Sequence, residues 1–238
     1  MNDPCISVSY ISLANLRYSI FSKWQVFVLF KIALVLSLNL VLFEIASAAS
    51  IDIQISSGED DSEESIPNGS VNFLSSDLEL GMDKRGEQIV AMRFNNVNLA
   101  GNTRIFSAYI QFTVDEKKSA PTTLLIEGEA TNSAAPLTNT KFDLSRRSRT
   151  VANIPWSPPP WLTVGASGPD QQTPNLGPII QEIVNQPDWL AGNSLVLFVT
   201  GSGVRTAESF NGVQASAPVL HIEFDGATIS RCRRGCKY

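Results

Sequence analysis

From Ile51 to Phe224 the chain is written largely in short stretches that alternate between apolar and polar residues, the pattern of half-buried strands. In RIFSAYIQFTV, Phe106, Ala108, Ile110, Phe112 and Val114 fall on one side, and Ser107, Tyr109, Gln111 and Thr113 on the other. QIVAMRF puts Val90, Met92 and Phe94 on an inward face and Arg93 opposite them. TTLLIEGEA sets Leu124 and Ile126 against Leu125, Glu127 and Glu129, and APVLHIEF turns Leu220, Ile222 and Phe224 inward. SLVLFVTG, from Ser194, is apolar on both faces and predicts a central strand.

Turn signals separate these runs, among them Asn68-Gly69, Gly101-Asn102, Gly192-Asn193, Gly201 to Gly203 and Asn211-Gly212. Many short strands without alternating long helices predict an antiparallel sandwich rather than a parallel α/β sheet. One helix is expected in NLGPIIQEIVNQP. There Asn175 can cap the free amides, Pro178 falls in the first turn and Pro187 ends the helix. Leu176, Ile179, Ile180, Ile183 and Val184 form its apolar stripe, so it should lie across the sandwich and close an open edge or end of the core.

The organisation follows from the two ends. Arg17, Lys23 and Lys31 precede the apolar run IALVLSLNLVLF, and Ala46, Ser47 and Ala48 supply the small residues of a signal-peptidase site. Residues 1–48 are therefore expected to be a signal peptide and 49–225 a β-sandwich domain, with 226–238 a basic tail. The competing reading is an uncleaved membrane anchor, since VFVLF before Lys31 extends the apolar segment toward roughly 20 residues. In both cases the remainder is exported. Removing three basic and two acidic residues takes the net charge from −5 to −6. An acidic domain of this kind excludes nucleic acid as a general partner, because phosphate binding needs a basic face. Cys232 and Cys236 in the tail could close a small loop, and the domain itself contains no cysteine.

The order of segments resembles a known family: an acidic first segment, SSDLELG, QIVAMRF, AYIQFTVDE, a Trp-Pro element, TPNLGPIIQEIVNQPDW, GNSLVLFVTG and SAPVLHIEF. It is similar to the DNRLRE-type domains, jelly-roll modules of exported bacterial proteins related to carbohydrate-binding modules. The resemblance spans Ile51 to Phe224 and implies a jelly-roll β-sandwich. It also implies binding to polysaccharide or a part in building a surface or fibre, often with bound calcium.

The chemistry available is narrow. The chain has one histidine, His221, on the strand face opposite Leu220 and Ile222, so no Ser-His-Asp or Cys-His arrangement is expected. One His with no domain cysteine is also a poor start for a zinc site. A carbohydrate-active enzyme would have to use strand-borne carboxylates such as Glu127, Glu129, Asp115 and Glu116, with no tuned partner in view. The acidic run GEDDSEES is expected to be a solvated edge. Alternatively, Asp60, Asp61 and Glu63, with Glu64 beside them, could join Asp77 and Glu79 to hold calcium by carboxylate oxygens.

IPWSPPPW, residues 154–161, poses a choice between a strut and a ledge for a sugar ring. The prolines stiffen the segment, and folding competes for each indole, since burying on the order of 200 Å² is worth several kcal/mol. Trp156 is expected to pack and Trp161 to be the more exposed, while Trp189 is expected to be structural. Arg147 and Arg149 in SRRSRT project together if that segment is a strand; a solvated face is expected for them, as for Arg93, with an acidic glycan held by their guanidinium groups as the alternative. Tyr109 completes the candidate ligand-binding set. The expectation is an exported, non-catalytic module that binds polysaccharide or another cell-surface polymer, with calcium as the candidate structural ion. The alternatives are a structural or adhesive surface protein and, behind it, a carbohydrate-active enzyme.

Overall fold

The structure, a computed structural model, describes residues 47–226. The expected signal segment and the tail with Cys232 and Cys236 lie outside the described residues, apart from Ser47, Ala48 and Gly226. Among the described residues no helix is long and apolar enough to cross a membrane.

The chain folds as an antiparallel β-sandwich of two unequal sheets. The small sheet has the order β1 (Ala48–Gln54), β12 (Val219–Asp225), β6 (Ile105–Gln111). The large sheet runs β7 (Val114–Glu116), β11 (Val204–Glu208), β4 (Asp77–Asp83), β5 (Gly86–Val97), β10 (Asn193–Ser202), β8 (Thr123–Glu129), β9 (Arg149–Trp156). Two further strands join it beside β5: β2 (Asp61–Ser65) pairs with β5 and with β3 (Val71–Asn72). Among the described residues the α-helices are α1 (Asp143–Arg146) and α2 (Gly177–Val184), with short 3-10 turns at Pro169–Gln171 and Gln214–Ser216.

Alternation predicts the main core. Ala108, Ile110 and Phe112 meet Leu220, Ile222 and Phe224 from one side and Val90, Met92, Phe94, Leu197 and Val199 from the other, all buried. Phe106 departs from the pattern and is only half-buried. The β6–β12 register slips there: Ser107 pairs with Glu223 but Ile105 with Phe224, so a bulge turns Phe106 off the core and Ile105 packs in its stead. Arg104 lies over the displaced ring, 5.4 Å from its centroid.

The reading of SLVLFVTG as a central strand holds: β10 lies between β5 and β8. Its second apolar face is covered by the segment 130–147, which folds back over the outside of the sheet. Ala134, Leu137 and Leu144 close there on Ile89, Ala91, Val196 and Phe198, a second buried cluster.

Helix α2 closes one open side of the sandwich, packing on β6, β8 and β9. The geometric cap position is Leu176, one residue after the predicted Asn175. Asn175 Oδ1 nevertheless accepts the Gly177 amide at 2.8 Å, and it also accepts the Ala108 amide on the free edge of β6. Glu182 does the same for β9, accepting the Val151 and Ala152 amides at 2.8 Å each. The helix thus satisfies edge groups of both sheets, which would otherwise be open to pairing with another chain.

Close approach of α2 to β8 depends on Gly128. A Cβ built there would stand 2.7 Å from both Ile179 and Ile183. Gly128→Val is expected to push the helix off the sheet and destabilise the fold by about 2–3 kcal/mol. A urea midpoint equal to that of the wild type would show that the helix can move without loss.

Candidate functional site

The tryptophan segment is a strut. Trp161, expected to be the more exposed ring, is fully buried, and Trp156 is buried as expected. Both pack with Phe112, at centroid separations of 6.2 and 5.9 Å, and lie 6.4 Å from each other. Trp161 Nε1 donates to the Asp170 carbonyl at 3.0 Å, so neither face nor edge is free to receive a sugar. Trp189 is buried too and donates to the Leu99 carbonyl.

Arg205 locks this segment in place, a residue the sequence did not single out. Its side chain is buried and, among the described residues, has no acidic partner in an ion pair. It donates instead to the carbonyls of Pro158, Pro159, Ala120 and Val204 and to Thr122 Oγ1, at 2.7–3.0 Å. Burial lowers its pKa from the ordinary arginine value. A guanidinium suits this place because its five N–H donors match several converging carbonyls.

Arg147, Arg149 and Arg93 were expected on solvated faces, and all three are instead tied down around the outer cluster. Arg147 follows α1 and pairs with Glu129 and Asp143 at 3.0 Å each, with 9% of its side chain exposed. Arg149 lies over the Phe198 ring, 3.5 Å from its centroid, and is 3.6 Å from Glu127. Arg93 pairs with Asp60 at 3.0 Å and donates to the Ala134 carbonyl. Because segment 130–147 covers this side of the sheet, the arginines form the rim of a core rather than a surface. Glu127 and Glu129 are held by the same pairs and are not a free carboxylate couple.

The acidic run is likewise not a solvated edge. It contains strand β2, and four of its carboxylates are buried. Each has its own task. Asp60 accepts from Arg93 and from Asn95 Nδ2 at 2.7 Å. Glu64 accepts the Leu144 amide at 2.7 Å, at the start of α1.

Asp61 accepts the Phe210 amide and Glu63 the Glu79 amide, both at 2.8 Å, while Gln88 donates to the Glu79 carbonyl. Asp61 and Glu63 of β2 and Gln88 of β5 thus reach β4 and the chain just after β11 where no ladder connects them. The carboxylates that group closely enough for one ion take in Asp77 but not Asp60, Asp61 or Glu63, against the expected calcium set.

Burial drives the protonation of this seam. It pushes Asp61 up to about 6, against the pull of the Phe210 amide. Burial and the neighbouring Glu79 carboxylate push Glu63 up to about 9. Glu79 is raised as well, first by burial.

Asp77 groups elsewhere. One oxygen each of Asp77, Asp115 and Glu116 lie within 4.8 Å of one another. Glu208 pairs across the ladder from Asp77 and contacts Asp115. Burial raises Asp115 and Glu208, and neighbouring carboxylates raise both further, whereas Lys118, 2.6 Å from Glu116, lowers that residue. The sequence placed Asp115 and Glu116 at a strand end, and nothing in it showed that β11 would bring them to Asp77.

Two surfaces among the described residues are candidates for a ligand. The first is the outer face of the small sheet, where Asp52, His221 and Tyr109 stand side by side in register. The Tyr109 and His221 rings stack at 4.8 Å, and His221 Nδ1 is 2.7 Å from Asp52. Its Nε2 faces Glu223 at 3.8 Å rather than a hydroxyl nucleophile.

The second surface is an open groove of about 500 Å³ between four loops. Phe73, Leu74 and Leu137 give it apolar surface, and Asn139, Asn211 and Glu59 give it polar groups. Asn211 is braced by donating to the Phe73 carbonyl. Gly58 lets the neighbouring loop approach it, since a Cβ there would meet the Asn211 side chain at 2.3 Å.

No family model matches the chain, and no curated protein matches it. Among solved structures it is similar to a carbohydrate-binding module specific for non-crystalline cellulose. The identity is 9% and the TM-score 0.22, over 66% of this chain and 74% of that one. A likeness at that level carries no argument about fold or ligand.

The seam yields a test. A carboxyl whose pKa rises on folding keeps its proton where the unfolded chain has lost it. Its contribution is complete below the unfolded value of 4.5 and is lost as pH rises toward 9. In chelator, the urea midpoint is expected to fall from pH 6.5 to 9. Glu63→Gln, which mimics the protonated form, should flatten that fall and match or exceed the wild type at pH 8. An equal slope in the variant would show that Glu63 is ionised in the fold.

Proposed function

We propose that this chain is an exported, non-catalytic binding module that holds a polysaccharide or another cell-surface polymer in the groove between its loops. The groove carries the reading: at about 500 Å³ it is of ligand-binding size, and it sets Phe73, Leu74 and Leu137 beside Asn139 and Asn211. Apolar side chains receive the C–H face of a sugar, and amides offer a donor and an acceptor to its hydroxyls. Export is supported by the apolar run and the Ala46-Ser47-Ala48 site. The order of segments that resembles DNRLRE-type domains supports the same class of ligand.

The Tyr109–His221 stack supports a second placement of the same function. It is an aromatic pair set among Asp52, Ser107 and Glu223, with Ser107 donating to Glu223 at 2.7 Å.

Affinity electrophoresis against a panel of neutral and acidic polysaccharides separates the two. Leu74 is 86% exposed, so Leu74→Asp leaves the fold intact. With the groove as the site, Leu74→Asp is expected to weaken binding at least tenfold at an unchanged melting temperature, while Tyr109→Ala has no effect. The opposite pattern would move the site to the small sheet. No retardation of the wild type on any polymer would refute polysaccharide binding and leave a structural or adhesive role.

A further inference from the structure

We infer that Asp77, Asp115, Glu116 and Glu208, together with the Thr206 hydroxyl, form a binding site for a hard divalent cation of calcium's size. Two observations carry this independently. The first is the convergence of carboxylates: oxygens of Asp77, Asp115 and Glu116 lie within 4.8 Å of one another, with Glu208 against Asp115. Oxygens on opposite sides of an ion bound at about 2.4 Å stand roughly 4.8 Å apart, so one ion can reach all three.

The second is Thr206. It is fully buried, and its Oγ1 has no hydrogen-bond partner. Strand register sets it opposite Glu79 on one side and Glu116 on the other, on the face shared by Asp77 and Glu208. Its neighbours Arg205 and Ala207 turn the other way, Ala207 into the main core. Buried polar groups are mostly paired, so a buried hydroxyl left unpaired beside carboxylates is free to serve as a ligand oxygen.

Charge points the same way. Of the four acids, Glu116 alone has a basic partner among the described residues, Lys118 at 2.6 Å. Asp77 accepts from Ser75 Oγ at 3.1 Å; the charge of Lys118 also reaches Asp115, and among the described residues no ion pair is formed by Asp77, Asp115 or Glu208. All-oxygen donors select a hard cation, and an irregular set of strand and loop carboxylates suits calcium better than magnesium, which demands near-octahedral geometry. The position also has a structural consequence. Asp77 begins β4 and Glu208 ends β11, so an ion there braces the loops that carry Phe73, Leu74 and Asn211 to the groove.

The test uses purified protein dialysed against chelator and then titrated with calcium or magnesium, reading melting temperature and retained calcium. Calcium at 100 times its dissociation constant is expected to raise the melting temperature by about 5–10 °C, with a smaller effect of magnesium. Asp77→Asn/Asp115→Asn should melt at or above the wild type in chelator, because repulsion is relieved, and should show no calcium response. Thr206→Val should keep the chelator-state melting temperature while weakening calcium affinity. An unchanged melting temperature with no calcium retained would overturn the proposal, as would an undiminished response in the double variant. Polysaccharide binding is read separately, so either conclusion can fail without the other.

Discussion

β10 sends Leu195, Leu197 and Val199 toward the core between the sheets and Val196 and Phe198 the other way, so the sheet it centres can leave neither face in water. Fully burying a side chain of this size is worth about 1.5–3 kcal/mol, enough to fold a covering segment over the second face. Segment 130–147 is that cover. With it in place, charged groups at the border must find partners, because an unpaired charge taken out of water is expensive. Arg93 with Asp60, Arg147 with Glu129, Arg149 over Phe198 and Glu64 at the start of α1 are the result.

The same logic explains the acidic strand. β2 stands where the ladder between β4 and β5 is confined to the hairpin at Met82 to Glu87. Backbone groups left over at Glu79 and Phe210 need partners of side-chain length. Glu63, Gln88 and Asp61 reach them, and the carboxyls can remain buried because their protons are held more tightly there.

Positioning of the candidate sites rests on this frame. The groove lies where the cover meets the loops at one end of the sandwich, and the carboxylate cluster lies on the strands from which two of those loops depart. Arg205 holds the proline segment at the opposite flank of β11, its donors spent on carbonyls rather than on an acid. One strand thus presents a clamp on one face and a buried hydroxyl among carboxylates on the other.

By itself the sequence determined whatever depends on a residue and its near neighbours. Period-two alternation located most strands and the inward set of the main core, and the apolar stripe before Pro187 located α2. What failed, failed where an outward face was covered by distant chain. Alternation says that Arg93 and Phe198 point away from the main core, but not that residues 130–147 return to enclose them. It says nothing of a one-residue slip such as that at Phe106, which depends on the partner strand. Trp161 could be read as strut or ledge until Arg205, 44 positions away, was seen to fasten its prolines. The joining of Asp77 with Asp115 and Glu208 is likewise a matter of ladder register, because only pairing between strands decides which carboxylates share a volume small enough for one ion.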